Sequence, residues 1–131
     1  MRSRCDEAPA PELLHAIAQF NSGEFFEQHE TLELLWRATT TPARDLYHGI
    51  LQVGVGLYHW RRGNFHGACV LLEEGIGRLE PFEPACQTID VARLIADARA
   101  ARARLLELGA ARMSEEDLSR APRIALTRTA R

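Results

Sequence analysis

Gly23-Glu24-Phe25-Phe26-Glu27-Gln28-His29-Glu30-Thr31-Leu32-Glu33-Leu34-Leu35-Trp36 is the stretch on which the fold turns. At about 100° per residue, Phe25, Leu32, Leu35 and Trp36 fall on one side of a helix, the stripe that a bundle helix turns to its core. His29 falls between Trp36 and Glu33 on that side, and Phe26 lies just beyond Glu33. An imidazole and a carboxylate thus stand where a packed interior would hold hydrocarbon. A buried carboxylate is costly unless something pairs with it, so this helix calls for polar partners from elsewhere in the chain.

The next helix supplies candidates. From about Ala43 to Arg62 the chain is apolar over most of its circumference, through Leu46, Ile50, Leu51, Val53, Val55, Leu57, Tyr58 and Trp60. That is the pattern of a helix at the centre of a bundle. Gly49, Gly54 and Gly56 lower its helix propensity but let neighbours approach closely. Its polar residues His48, Gln52 and His59 fall within about 40° of one another. The expected site is a buried cluster of His29, Glu33, Gln52 and His59, with Glu30 at the edge of the face and His48, Phe26, Trp36, Tyr58 and Asn64 supporting it. In that cluster Glu33 would accept hydrogen bonds from His59 or Gln52, and Tyr47 or Tyr58 would add a hydroxyl.

Outward from these two helices the remaining elements follow. Pro11 suits a first helical turn, and Leu13, Leu14, Ile17, Ala18 and Phe20 recur at helical spacing before Ser22-Gly23 breaks the helix. Thr39-Thr40-Thr41-Pro42 reads as a capping threonine with proline at the first position of the third helix. Gly63-Asn64 separates the third helix from a fourth, which runs to about Leu79; Asn64 is its expected cap. Pro81 and Pro84 enclose a loop. Asp90 caps a fifth helix, Val91 to Leu108, closed by Gly109. The expected organisation is a disordered segment over residues 1–10, a helical bundle over 11–109, and a short helical start with an extended or disordered tail over 110–131. Phe20-x-x-Gly23-x-Phe25 recurs forty positions later as Trp60-x-x-Gly63-x-Phe65. The chain therefore reads as two helical hairpins plus a closing helix, a single compact all-α bundle of about five helices. The hairpin is similar to the tetratricopeptide unit, but two imperfect copies are too few for a solenoid.

The 131 residues suffice for one domain with a real core. A formal net charge of -2 provides no global field to recruit nucleic acid or an anionic membrane, and no run approaches a membrane span. Cys5, Cys69 and Cys86 are an odd, scattered set without C-x-x-C spacing, which argues against a disulfide framework or a zinc knuckle. Cytoplasmic localisation is the expectation.

The same residues resemble a small bacterial and archaeal family, the domain of unknown function 309. The resemblance rests on Asn21, Gly23, Phe25, Phe26, Glu27, His29, Glu30, Glu33, Trp36 and Arg37, then on Gly49, Gln52, Tyr58, His59, Gly63, Asn64, Gly67 and Ala68. It covers roughly Phe20 to Leu79. It implies an all-α bundle and marks His29, Glu30, Glu33, Gln52 and His59 as motif residues. It implies no activity.

Three functional readings compete. A soluble helical protein whose polar cluster is structural, or holds a small ligand, is the first. The second is a divalent metal held by His29, Glu33 and His59, in a metal-binding protein or metal-dependent hydrolase. His-Glu-x-x-Glu lacks the second histidine of the zinc-protease signature, however, and no Glu-x-x-His pair of the ferritin kind is found. No cofactor is otherwise expected. An enzyme is not favoured, because no nucleophile has a partner and no phosphate-cradling loop is present. The third is an interaction module, with a protein partner or with a homodimer covering the apolar third helix.

Overall fold

A computed structural model of the chain describes residues 5–127. Five helices follow one another: α1 (Pro11–Asn21), α2 (Phe25–Ala38), α3 (Ala43–Arg61), α4 (Phe65–Leu79) and α5 (Val91–Arg112). Two two-residue strands, β1 (Ala85–Cys86) and β2 (Ile89–Asp90), form a hairpin between α4 and α5. The all-α bundle of two hairpins and a closing helix is what the sequence pattern implies.

Recurrence of the aromatic–glycine–aromatic motif has a structural cause. Ser22 and Arg62 share φ -91 and ψ 3, and Gly23 and Gly63 both have φ 80. In each turn the glycine N–H donates to the aromatic carbonyl three residues back, Phe20 or Trp60, at 3.0 Å. The next N–H reaches back to Gln19 or His59 at 2.8 Å. These are paired helix-ending bonds around a left-handed residue, a conformation that favours glycine. Each hairpin is thereby closed by the same device, and the aromatics Phe20, Phe25 and Trp60 are buried beside it.

α3 is the buried centre. Leu46, Val53 and Leu57 are fully buried, and Ile50 and Trp60 nearly so. Its tightest neighbour is α4. A Cβ at Gly75 of α4 would lie 2.9 Å from both Gly49 O and Val53 N, so these two backbones touch with no room for a side chain. Gly49 and Gly56 make room for the side chains of Leu79 and Leu72. The helix ends largely follow the expected signals: Asn64 Oδ1 accepts from Gly67 N, Asp90 Oδ1 accepts from Arg93 N, and Gly109 leaves helical geometry with φ 71. One cap differs. Pro42 itself holds the position before α3 and no threonine side chain caps it; Thr39 instead donates its hydroxyl to Leu35 O.

The periphery departs from expectation at both ends. Cys5 is disulfide-bonded to Cys86, and Cys5 O accepts from Gln87 N at 2.7 Å. Spacing along the chain could not reveal a pair 81 residues apart that only the β hairpin brings together. From Cys5 onward, the supposedly disordered start is therefore tied down; residues 1–4 lie outside the described residues. After α5 the chain makes two short 3-10 turns, Met113–Glu115 and Leu118–Arg120, and then packs back on the bundle. Met113 and Ile124 are buried, the Asn21 amide bonds Ile124 N and O at 2.7 and 2.9 Å, and Ile89 bridges to Leu126. Residues 128–131 lie outside the described residues. No helix among the described residues is long and apolar enough to cross a membrane.

Candidate functional site

Two ring contacts set the register of α2 against α3. Phe26 meets Tyr58 with centroids 5.7 Å apart, and Trp36 meets His48 at 4.7 Å. Ten residues forward on α2 are matched by ten backward on α3, so the helices run antiparallel in register. His29 and Glu33 lie between those contacts, level with Val55 and Leu51-Gln52. α3 thus presents His48, Gln52, Val55 and His59 as a stripe, and α2 presents Phe26, His29, Glu33 and Trp36 beside it.

Burial differs from the expectation. The side chains of His29 and Glu33 keep 34% and 31% of their exposure, and Glu30 is exposed. The centre of the buried face of α2 is Leu32, Gln28 and Phe25, which places His29 and Glu33 at its rim. Glu33 therefore needs no partner from α3. His29 Nε2 stands 3.3 Å from its Oε1, and the Arg37 guanidinium donates to its Oε2 at 2.6 Å. Neither Gln52 nor His59 reaches it. Gln52 is buried but turns toward α4: its Nε2 donates to Glu74 Oε1 at 3.2 Å, and Arg78 Nε donates to its Oε1 at 3.1 Å. Asp45 lies 3.6 Å from Arg78 and extends this chain of charges. His59 is held at the far end, where Asn64 Nδ2 lies 3.3 Å from its Nδ1. Gly67 leaves it space, since a Cβ there would sit 3.0 Å from the His59 ring. Tyr47 takes no part, because its hydroxyl donates to Gln87 Oε1 at 2.9 Å in the core near the β hairpin.

The polar residues thus divide among three places: a His29–Glu33–Arg37 ladder on α2, a Gln52–Glu74–Arg78 network between α3 and α4, and a His59–Asn64 pair at the turn. Among the described residues no three His, Cys, Asp or Glu side chains stand together as a metal site would require. An ion on this face would meet His29 and Glu33 alone.

A ring-lined, shallow surface joins the three places. Phe26 is 46% exposed, and His29, Trp36, His48, Tyr58 and His59 are half-buried. Arginines sit at both ends: Arg44 lies 4.7 Å over Trp36, and Arg62 lies 5.7 Å over Tyr58. His48 is held below the ordinary histidine range chiefly because burial penalises its charged form, with repulsion from Arg78 next. None of the four main cavities is lined by His29, Glu33, Gln52 or His59.

Gln28 was missed by pattern reading. It is fully buried between Phe25 O (3.1 Å) and Leu51 O (3.4 Å). It fits because α3 has glycine opposite, where a Cβ at Gly54 would collide with its Nε2. The helical wheel held the signal: Gln28 projects between Leu32 and Leu35, nearer the middle of the apolar stripe than His29 does.

Residues 13–71 match the model of a family described as Domain of unknown function (DUF309). The chain is also 36% identical over 67 residues to "Uncharacterized protein YpuF" of Bacillus subtilis (strain 168). That alignment takes 50% of this chain and 38% of the relative, so the chain spans well under half of that protein's length. The matched family segment contains α2, α3 and the whole ring-lined face, but ends within α4.

Proposed function

We propose, for a chain whose residues 13–71 match the model of the domain of unknown function 309 family, that it is a binding module whose α2–α3 face receives a polypeptide surface. One observation carries the reading. Six rings from two helices share one face and stay partly open, while the residues directly behind them, such as Leu32, are sealed from solvent. A structural cluster would be closed over, and a small-ligand or metal site would converge on a cavity. This face does neither. Half-exposed aromatic rings framed by arginine are the composition of protein-recognition surfaces. The complementary partner offers apolar side chains to Phe26, Trp36 and Tyr58, and carboxylates to Arg44 and Arg62. A second copy of the chain is one such partner, and a divalent ion bridging His29 and Glu33 to a partner's ligand is compatible with the same surface. Cytoplasmic placement belongs to the same proposal.

Photocrosslinking tests it. p-Benzoylphenylalanine at Phe26 is compared, in the native host, with the same residue at Leu106 on α5, whose exposure of 49% matches the 46% of Phe26. A discrete adduct from position 26 and none from position 106 is expected. A homodimer would appear as a band at twice the 14.7 kDa chain mass. Equal labelling from both positions, or adducts from 106 alone, would remove the face from consideration.

A further inference from the structure

After α5 the chain crosses back over the bundle, past the turn between α1 and α2. Trp60 Nε1 donates to Met113 O at 2.8 Å at one anchor, and Asn21 holds Ile124 at the other. Between the anchors, residues 116–123 form the outer lip of a groove against α5, about 410 Å³ in volume. That is within the range of small-molecule sites. Its apolar lining includes Leu57, Trp60, Ala100, Ala101, Leu118 and Ala121.

Charge at the groove is not balanced. Arg93 is held by Asp97 at 3.7 Å, and Arg104 by Glu116 at 3.0 Å and Glu107 at 2.6 Å. Asp117 accepts from Ser119 N at 2.9 Å. Among the described residues two guanidiniums make no ion pair: Arg123 donates to the neutral carbonyl of Asn21 at 3.0 Å, and Arg120 acts on Asp117 only through its field. Both lie on the lip, three residues apart, above the apolar lining.

We infer that this groove binds a small carboxylate carried on an apolar body, with Arg120 and Arg123 as the partners of the anion. The guanidinium fork matches a carboxylate in two parallel hydrogen bonds, and Ala100, Ala101, Leu118 and Ala121, the apolar lining still open to solvent, take the hydrocarbon out of water over the sealed Leu57 and Trp60. Only Leu57 and Trp60 among the lining residues lie within the family segment. The site therefore belongs to the outer half of the chain and is independent of the α2–α3 face.

The two tryptophans report the two places separately: Trp60 lines the groove, and Trp36 lies on the α2–α3 face. Sodium octanoate is titrated into the ¹⁵N-labelled full chain while both indole N–H resonances are followed. A saturable shift at Trp60 with Trp36 unmoved is expected, and inorganic phosphate, which has no apolar body, leaves both in place. Arg120→Glu weakens octanoate binding about tenfold or more, the scale of a lost charge-assisted bond. Ala100→Trp fills the groove with every arginine retained and abolishes the shift. Both substitutions are at exposed positions, and a wild-type-like amide spectrum verifies their folding. A shift confined to Trp36, no saturable shift, equal response to phosphate, or unchanged affinity in Arg120→Glu would each overturn the inference. The crosslinking result at Phe26 stands or falls separately.

Discussion

Gly75 and Gly77 lie two positions apart in α4, and the packing predicts opposite signs for the same substitution. An alanine Cβ at position 75 would stand 2.8 Å from Val53 Cγ2 and 2.9 Å from Gly49 O and Val53 N. Relaxed carbon contacts lie at about 3.5–4.0 Å, so α3 and α4 must part by roughly 0.5–1 Å. A gap of that size forfeits a quarter to a half of each dispersion contact along the interface. Because two of the three clashes are with backbone, no rotamer change relieves them. That places the overpacking cost near the top of its usual span, about 3 kcal/mol. Alanine's better helix propensity returns about 1 kcal/mol, which leaves Gly75→Ala about 2 kcal/mol less stable. At position 77 a Cβ meets nothing within 4 Å, so only the propensity gain of about 0.5–1 kcal/mol remains. Thermal unfolding followed by circular dichroism should show Gly75→Ala melting roughly 6–10 °C lower and Gly77→Ala a few degrees higher. Movement of both in one direction, or Gly75→Ala at or above wild type, would refute the backbone-contact account.

Three further outcomes are expected. Loss of the Cys5–Cys86 bond, through Cys86→Ser or dithiothreitol, should lower stability by about 4–5 kcal/mol on the loop-entropy scale for a separation of 81 residues. Acid-quenched alkylation of cells shows which state exists there, two free thiols in a reducing compartment and a blocked pair in an oxidising one. His48 is depressed by burial and by Arg78, with Arg44 adding repulsion while Asp45 and Glu74 partly offset it. The unfolded chain therefore binds its proton first, so the stability from His48 is complete above pH about 6.5 and is lost as pH falls through the folded value. His48→Gln should flatten that part of a melting curve measured against pH, and an unchanged slope would contradict the assignment. Cys69 is buried, which raises its thiol above the usual range although Arg102 opposes this. Its labelling by a disulfide reagent should be far slower in the native chain than in denaturant, and equal rates would show the site open.

The sequence carried the fold further than the site, and the difference is one of range. Helix ends depend on neighbours: Gly23, Gly63 and Gly109 take the left-handed geometry that marks them as breaks, and Asn64 and Asp90 cap as their spacing implies. The face of α2 was legible to within about one residue's turn. The remaining error mattered: the buried centre is Phe25, Gln28 and Leu32, so His29 and Glu33 fall at the rim and not in the interior, and there Arg37 of its own helix suffices for Glu33. Gln52 was expected to turn toward α2, but its partners, Glu74 and Arg78, lie on a helix whose rotation no local pattern specifies. The Cys5–Cys86 bond, the β hairpin and the packed tail are pairings between distant segments with neither helical nor strand periodicity to announce them.

Hydroxyl-radical footprinting compares most directly whether the α2–α3 face is in use. Oxidation of Phe26, Trp36 and Tyr58 would be measured in intact cells and in the purified chain, each normalised to Leu106 on α5. These three rings are expected to be protected several-fold in cells. Equal oxidation in both settings would mean that nothing occupies the face.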